Sequence, residues 1–194
     1  MTKFTRFAAI AAAVATSAAL VAPANAAAPV TDSNGKAKVK IVKPLSLVGT
    51  GEIDFGTIVL PATPAGNSMT AVVSAAASPT FSGCGATFVC SIANGGATTN
   101  MAYNVTGTNN MNVIVTIPKV VAMANGLGDS LNVDLSTNIG TTANDTATDL
   151  VRTVTMPNSG NTGVDFYVGG SLAVSDSAAE GDYNGTFDVT AEYE

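Results

Sequence analysis

The chain has 194 residues, and none of them is His or Trp. Without His there is no Ser-His-Asp triad, no imidazole metal ligand and no side chain that titrates naturally near neutrality. Eight Lys and Arg stand against fourteen Asp and Glu, a formal net charge of −6, which disfavours nucleic acid and anionic lipid, since both are bound through basic side chains.

The chain opens on Lys3 and Arg6, followed by the uncharged, Ala-dominated run Phe7 to Val21 and by Ala24-Asn25-Ala26. A positive stretch, an apolar stretch and a small-x-small site together predict a secretory signal peptide over residues 1–26, cut between Ala26 and Ala27. The apolar run is short for a bilayer span. Losing Lys3 and Arg6 would take the net charge from −6 to −8. No Cys follows the cut to suggest a lipid anchor, and no later segment reads as a membrane crossing, so no membrane insertion is expected after cleavage.

Residues 27–35 form a short polar lead-in to a single domain predicted over residues 36–194. Lys36 to Val48 reads as strand, with Lys36, Lys38 and Lys40 on one face and Ala37, Val39 and Ile41 on the other. Pro44 breaks it, because proline cannot donate to a ladder. Gly49-Thr50-Gly51 reads as a turn. Glu52 to Leu60 is the next β segment, closed by a turn over Pro61 to Gly66, and Ser68 to Ala75 is another. Met101 to Thr106 and Met111 to Ile117 flank Gly107 and Asn109-Asn110 in the manner of a hairpin. Leu131, Val133 and Leu135 alternate. Val151 to Met156, Val164 to Val168 and Leu172 to Val174 follow, with Gly169-Gly170 read as a tight turn. Ala75 to Ala77 and Val120 to Ala124 could each hold a helical turn at most.

The last fourteen residues, Gly181 to Glu194, carry the clearest pattern. Tyr183, Phe187, Val189, Ala191 and Tyr193 fall on one parity, and Asp182, Asn184, Thr186, Asp188, Thr190 and Glu192 on the other. That is a half-buried strand with one apolar face. Many short strands punctuated by Gly, Asn, Ser and Pro, without an amphipathic helix, predict an all-β antiparallel β-sandwich, with a closed barrel less favoured.

Cys84 and Cys90 are the only cysteines. In an exported chain they are expected to form a disulfide closing a tight loop, rather than a redox or metal pair, which would call for two-residue spacing or a His partner. Such a small loop is worth about 2 kcal/mol. No P-loop, Gly-x-Ser-x-Gly or dinucleotide fingerprint occurs. Carboxylates are therefore the only catalytic candidates. Asp176, Glu180, Asp182 and Asp188 crowd the C-terminal region, and Asp145 lies near Asp149. A glycosidase pair or a calcium site could be assembled from them, but solvated turn and outer-face residues are the preferred reading. No catalytic residue, metal or cofactor is expected.

Three blocks carry a family likeness: Ile41-Val-Lys-Pro-Leu-Ser-Leu with Ile53-Asp-Phe-Gly-Thr-Ile, then Phe166-Tyr-Val-Gly-Gly-Ser-Leu-Ala-Val, then Gly181-Asp-Tyr-Asn-Gly-Thr-Phe-Asp-Val-Thr-Ala-Glu-Tyr. Their order resembles the bacterial domain-of-unknown-function family 4402 over nearly the whole chain after the signal. The same blocks are similar to pilin subunits of the chaperone–usher pathway, especially the spore-coat-U-like group. In those subunits the C-terminal strand has a Gly fourteen residues from the end and a penultimate Tyr, here Gly181 and Tyr193, and an Asp-Phe-Gly recurs early, here Asp54-Phe55-Gly56.

The resemblance implies an immunoglobulin-like sandwich that lacks its last strand. Gly181, Tyr183, Phe187, Val189, Ala191 and Tyr193 would form the acceptor edge, filled first by a periplasmic chaperone, delivered to an usher, then filled by the N-terminal segment of the next subunit. The donor candidate is Lys36 to Val42, with Ala37, Val39 and Ile41 facing in, and head-to-tail repetition gives an open filament. One departure is that the lead-in before Lys36 is short and polar, with Val30 its one apolar anchor. Lys36 to Leu47 as the first strand of a self-complete sandwich is the competing arrangement.

The functional expectation is an exported, non-catalytic structural or adhesive component, in the periplasm in transit and at the cell surface or outside it when mature. A monomeric extracellular binding module for carbohydrate, using polar loops at one end of the sandwich, is the alternative. An enzyme built on a carboxylate pair is the weakest of the three.

Overall fold

Alternating β-branched and polar residues pair into antiparallel strands throughout the computed structural model. The structure describes residues 31, 35–85, 87–91, 99–140, 142–158 and 162–194. The predicted signal segment, its Ala26–Ala27 cleavage point and most of the lead-in lie outside the described residues.

In chain order the strands are β1 (Ser46–Thr50), β2 (Thr57–Val59), β3 (Ser68–Val73), β4 (Phe81–Ser82), β5 (Val89–Ser91), β6 (Met101–Thr106) and β7 (Asn112–Pro118). There follow β8 (Val120–Ala124), β9 (Ser130–Thr137), β10 (Thr142–Ala143), β11 (Asp149–Thr155), β12 (Val164–Ser175) and β13 (Thr190–Tyr193). One sheet runs β1-β6-β12-β3-β4, with β9 also on β12 and β8 on β9. A second runs β10-β11-β7-β13, and β2 with β5 makes a small ribbon. The architecture is the β-sandwich that the sequence predicts.

The two larger sheets bury one core. On β7, Val113, Val115 and Ile117 turn inward at every second position and are fully enclosed. They share that core with Val105, Phe166 and Val168 of the other sheet. This inward parity is what selects the pairing register, since a slip of one residue would put all three in water.

β12 organises the larger sheet. Val168 pairs with Thr137 of β9 and with Met101 of β6, and Gly170 pairs with Leu135 of β9 and with Val73 of β3. One edge of β12 therefore carries β9, while β6 and β3 lie end to end along the other. Where β3 stops and β6 starts, the buried Asn100 amide donates to the carbonyls of Ser74 at 2.9 Å and Ala76 at 2.8 Å. These carbonyls face a break in the ladder, and the side chain supplies the donors that a continuous strand would have given.

Several expectations change. Gly169-Gly170 is not a turn but the middle of β12. A Cβ on Gly169 would sit 2.2 Å from the Val73 carbonyl oxygen, and one on Gly170 would sit 2.7 Å from a Val133 methyl. Close approach of neighbouring chain, rather than a reversal, requires these glycines. Gly49 and Thr50 likewise belong to β1, and the ring of Tyr103 lies where a Gly49 Cβ would be. Met101–Thr106 and Met111–Ile117 do not form a hairpin, because β6 pairs with β1 and β12, while β7 pairs with β11 and β13. Their connection crosses between sheets, with Asn110 at φ 57° in the turn. Val120–Ala124 is strand β8, held to β9 by register, so no helical turn forms there.

The predicted strand over Lys36–Val48 begins only at Ser46. Residues 35–45 have no regular secondary structure. Alternation makes a segment competent to be a strand, but a strand exists only when another edge bonds to it, and Pro44 offers no donor. The terminal strand is also shorter than Gly181–Glu194: its ladder covers Thr190–Tyr193, preceded by a single bridge at Asn184.

Candidate functional site

The C-terminal segment joins the two sheets. Asn184 exchanges both main-chain hydrogen bonds with Ala124 at the end of β8, at 2.9 and 3.0 Å. Gly185 lets it lie close, since a Cβ there would stand 2.7 Å from the Ala122 carbonyl oxygen. Gly181, at φ 142°, starts this run in a conformation that side-chain-bearing residues avoid. Six residues beyond Asn184 the chain has crossed to the second sheet, where β13 pairs with β7 from Thr190↔Thr116 to Tyr193↔Val113.

The alternation read from the sequence holds throughout this segment. Tyr183, Phe187, Val189, Ala191 and Tyr193 are half-buried, and the residues between them are exposed. Gly181 is exposed and sits at the head of the run. Beneath residues 183–187 lies an open groove of about 300 Å³. Its floor is the inner face of the larger sheet: Met101 and Tyr103 of β6, Val121 and Met123 of β8, Val133 and Leu135 of β9. Phe55 and Phe187 close its sides. β13, into which this segment leads, has β7 as its one partner among the described residues, so its other edge carries no strand.

Tyr103 stacks on Phe166 with ring centroids 5.1 Å apart. Burial raises its phenol pKa, and the nearby Asp188 carboxylate adds to the effect. The Asp54-Phe55-Gly56 block sits in the same region: Phe55 is buried, and the Asp54 carboxylate accepts the Gly56 amide at 2.7 Å, where φ is 68°.

At the far end Tyr193 anchors several strands of chain. Its hydroxyl accepts from the Thr108 amide at 2.7 Å and donates to the Lys43 carbonyl at 2.8 Å. Gly107 makes room, because a Cβ there would lie 2.7 Å from that oxygen. The candidate donor residues Ala37, Val39 and Ile41 are not paired with any strand among the described residues; Val39 is 80% and Ile41 84% exposed.

Cys84 and Cys90 form the expected disulfide, with Cα atoms 6.0 Å apart. The carboxylates do not assemble into a site. Asp145 pairs with Arg152, whose hydrogen bond lowers its pKa. Asp149 instead accepts from the hydroxyls of Thr146 at 3.2 Å and Thr148 at 2.6 Å. Glu180 and Asp182 are exposed. Asp176 corrects the solvated-turn reading: it is 2% exposed, and one carboxylate oxygen accepts the amides of Ala65 and Asn67, each at 2.8 Å. Those amides lower its pKa. It tethers the loop before β3 to the end of β12, a role that no local sequence signal announces. Among the described residues, no three His, Cys, Asp or Glu side chains gather as a metal site.

Fold and site define a β-sandwich protein with an apolar groove beside its terminal strand. The chain belongs to the family described as Domain of unknown function (DUF4402), whose model matches residues 45–193. No curated protein and no solved structure matches it.

Proposed function

We propose that this protein is an exported, non-catalytic structural component of the cell surface, a pilin-like subunit that assembles by donating a strand to its neighbour. One observation carries the reading: the edge of β13 that pairs with no strand among the described residues is continuous with a segment lying over an open apolar groove. A strand added there would complete main-chain hydrogen bonds on one side and cover Met101, Tyr103 and Phe187 on the other, the two gains that make β-augmentation favourable.

The donor is the stretch Lys36 to Val42 of the next copy. Its alternating Ala37, Val39 and Ile41 match the groove's apolar character, and its lysines suit an acidic partner surface. Each copy both gives and receives, and such a head-to-tail interface extends without closing. During export a periplasmic chaperone holds the groove, and an usher receives the complex.

The test is a denaturing gel of surface-recovered protein, boiled and unboiled, with negative-stain microscopy of the same sample. A ladder that collapses on boiling, together with thin fibres, is expected. The double variant Val39→Asp, Ile41→Asp should abolish both, as should deletion of residues 27–43. Multimers that survive both changes would sink the proposal, as would a monomer band alone from the unaltered protein.

A further inference from the structure

The opposite face of the same sheet carries a second, smaller feature that the assembly reading does not use. β1, β6 and β12 pair in register so that two rows of side chains cross their outer surface. Val48, Asn104 and Asp165 form one row, and Thr50, Ala102 and Tyr167 the other. Together they line a shallow depression of about 150 Å³. The intervening Tyr103 and Phe166 point inward and stack, which backs the patch with rigid core.

The chemistry of the six side chains is specific. Ala102, the smallest, lies between Thr50 and Tyr167 and makes the hollow. Tyr167 is half-buried and supplies an aromatic side wall, and Val48, 57% exposed, supplies an apolar rim. Asn104 donates its amide to Asp165 Oδ1 at 2.6 Å, which fixes both planar groups side by side. Asp165 Oδ2 is an acceptor with no protein donor among the described residues, whereas Asn104 Oδ1 lies over Gly163, away from the hollow. A carboxylate held in place beside an aromatic ring suits a ligand that has hydroxyl donors on its edge and C–H groups on its face. The hollow is smaller than the roughly 300 Å³ at which drug-sized sites begin.

We propose that this outer-face depression binds one uncharged sugar ring, a hexopyranose with neighbouring free hydroxyls. The Asp165 carboxylate, held by Asn104, accepts those hydroxyls, and Tyr167 covers an apolar face of the ring. The Asp165 charge and the acidic protein disfavour uronic and sialic acids. This face differs from the end loops on which the sequence suggested carbohydrate binding, and its existence does not depend on strand exchange.

The experiment is an amide NMR titration of the full chain with methyl mannoside, methyl galactoside and methyl glucoside, and with glucuronate as the charged comparison. Saturable shifts confined to residues 48–50, 102–104 and 165–167 are expected for at least one neutral sugar, with Kd on the order of millimolar, as a single exposed ring allows. Tyr167→Ala should weaken binding about tenfold, the loss of one aromatic contact, whereas Tyr167→Phe keeps it. Asp165→Ala, an exposed change that leaves the fold intact, should weaken it comparably. The proposal is overturned by no response in these residues to any of the neutral sugars, by equal response in Asp165→Ala, or by glucuronate binding as well as they do.

Discussion

The Tyr193 hydroxyl donates to the main-chain oxygen of Lys43, 2.8 Å away and 150 positions earlier in the chain. The Tyr193 hydroxyl oxygen in turn accepts the Thr108 amide at 2.7 Å, and the Lys43 amide donates to the Thr108 hydroxyl at 2.6 Å. The penultimate residue thus ties the approach to β1 and the β6–β7 connection to the last strand. Tyr193→Phe keeps the ring and removes these bonds. It should cost about 1 kcal/mol, because the half-buried Thr108 amide loses its partner while the exposed Lys43 carbonyl can turn to water. Urea unfolding of the two proteins measures the difference.

Gly169 sits inside β12 with the Val73 carbonyl oxygen 2.2 Å from where a Cβ would be. Main chain cannot give way as a side-chain tip can, so Gly169→Ala should destabilise by about 3 kcal/mol or more. Gly85 has nothing within 4 Å of its Cβ position, and Gly85→Ala should stay within roughly 0.5 kcal/mol of the parent. A pair of thermal melts separates the two cases.

Asp176 titrates lower in the folded chain than in the unfolded one, because the Ala65 and Asn67 amides favour its charged form. Its contribution is therefore complete above the unfolded carboxyl pKa, about 4, and is lost as pH falls through the lower folded value. Asp176→Asn should be less stable than the parent at neutral pH, and the gap should narrow below pH of about 4. A melting-temperature series across that range decides it. A gap that widens in acid would refute the assignment.

Replacing both Cys84 and Cys90 with Ser should cost about 2 kcal/mol by releasing a short loop in the unfolded chain. Denaturant midpoints with and without reductant give the comparison.

The terminal segment was legible because its apolar parity alternates from Tyr183 to Tyr193 with Gly185 the one gap, and burial follows that parity at every other position even where no ladder forms. The disulfide was legible from two cysteines in an otherwise Cys-free chain. Partnership was not. Met101–Thr106 and Met111–Ile117 look like a hairpin locally, yet each finds its bonds in a different sheet, and nothing within either strand encodes that choice. The glycines at 169 and 170 carry the same one-letter signal as a turn, and only the neighbouring chain distinguishes close approach from reversal. Lys36–Ile41 shows the converse limit, where a strand pattern stays unpaired because pairing takes a second edge. The groove was not legible, since Val121, Met123, Val133 and Leu135 line it from two strands whose local pattern reads as ordinary core. Asp176 and Asn100 were missed for one reason: each acts on main-chain groups of distant segments.

The end-to-end placement of β3 and β6 along β12 divides the larger sheet at a seam bridged by Asn100. A ladder that changes partners lacks the unbroken cooperativity of a continuous one, so such a seam is where solvent first gains access to main-chain amides. Hydrogen exchange would therefore spread outward from Ser74–Ala76 and the facing Gly169, while Gly170 to Leu172, paired with β3 on one edge and β9 on the other, would be among the last amides to exchange.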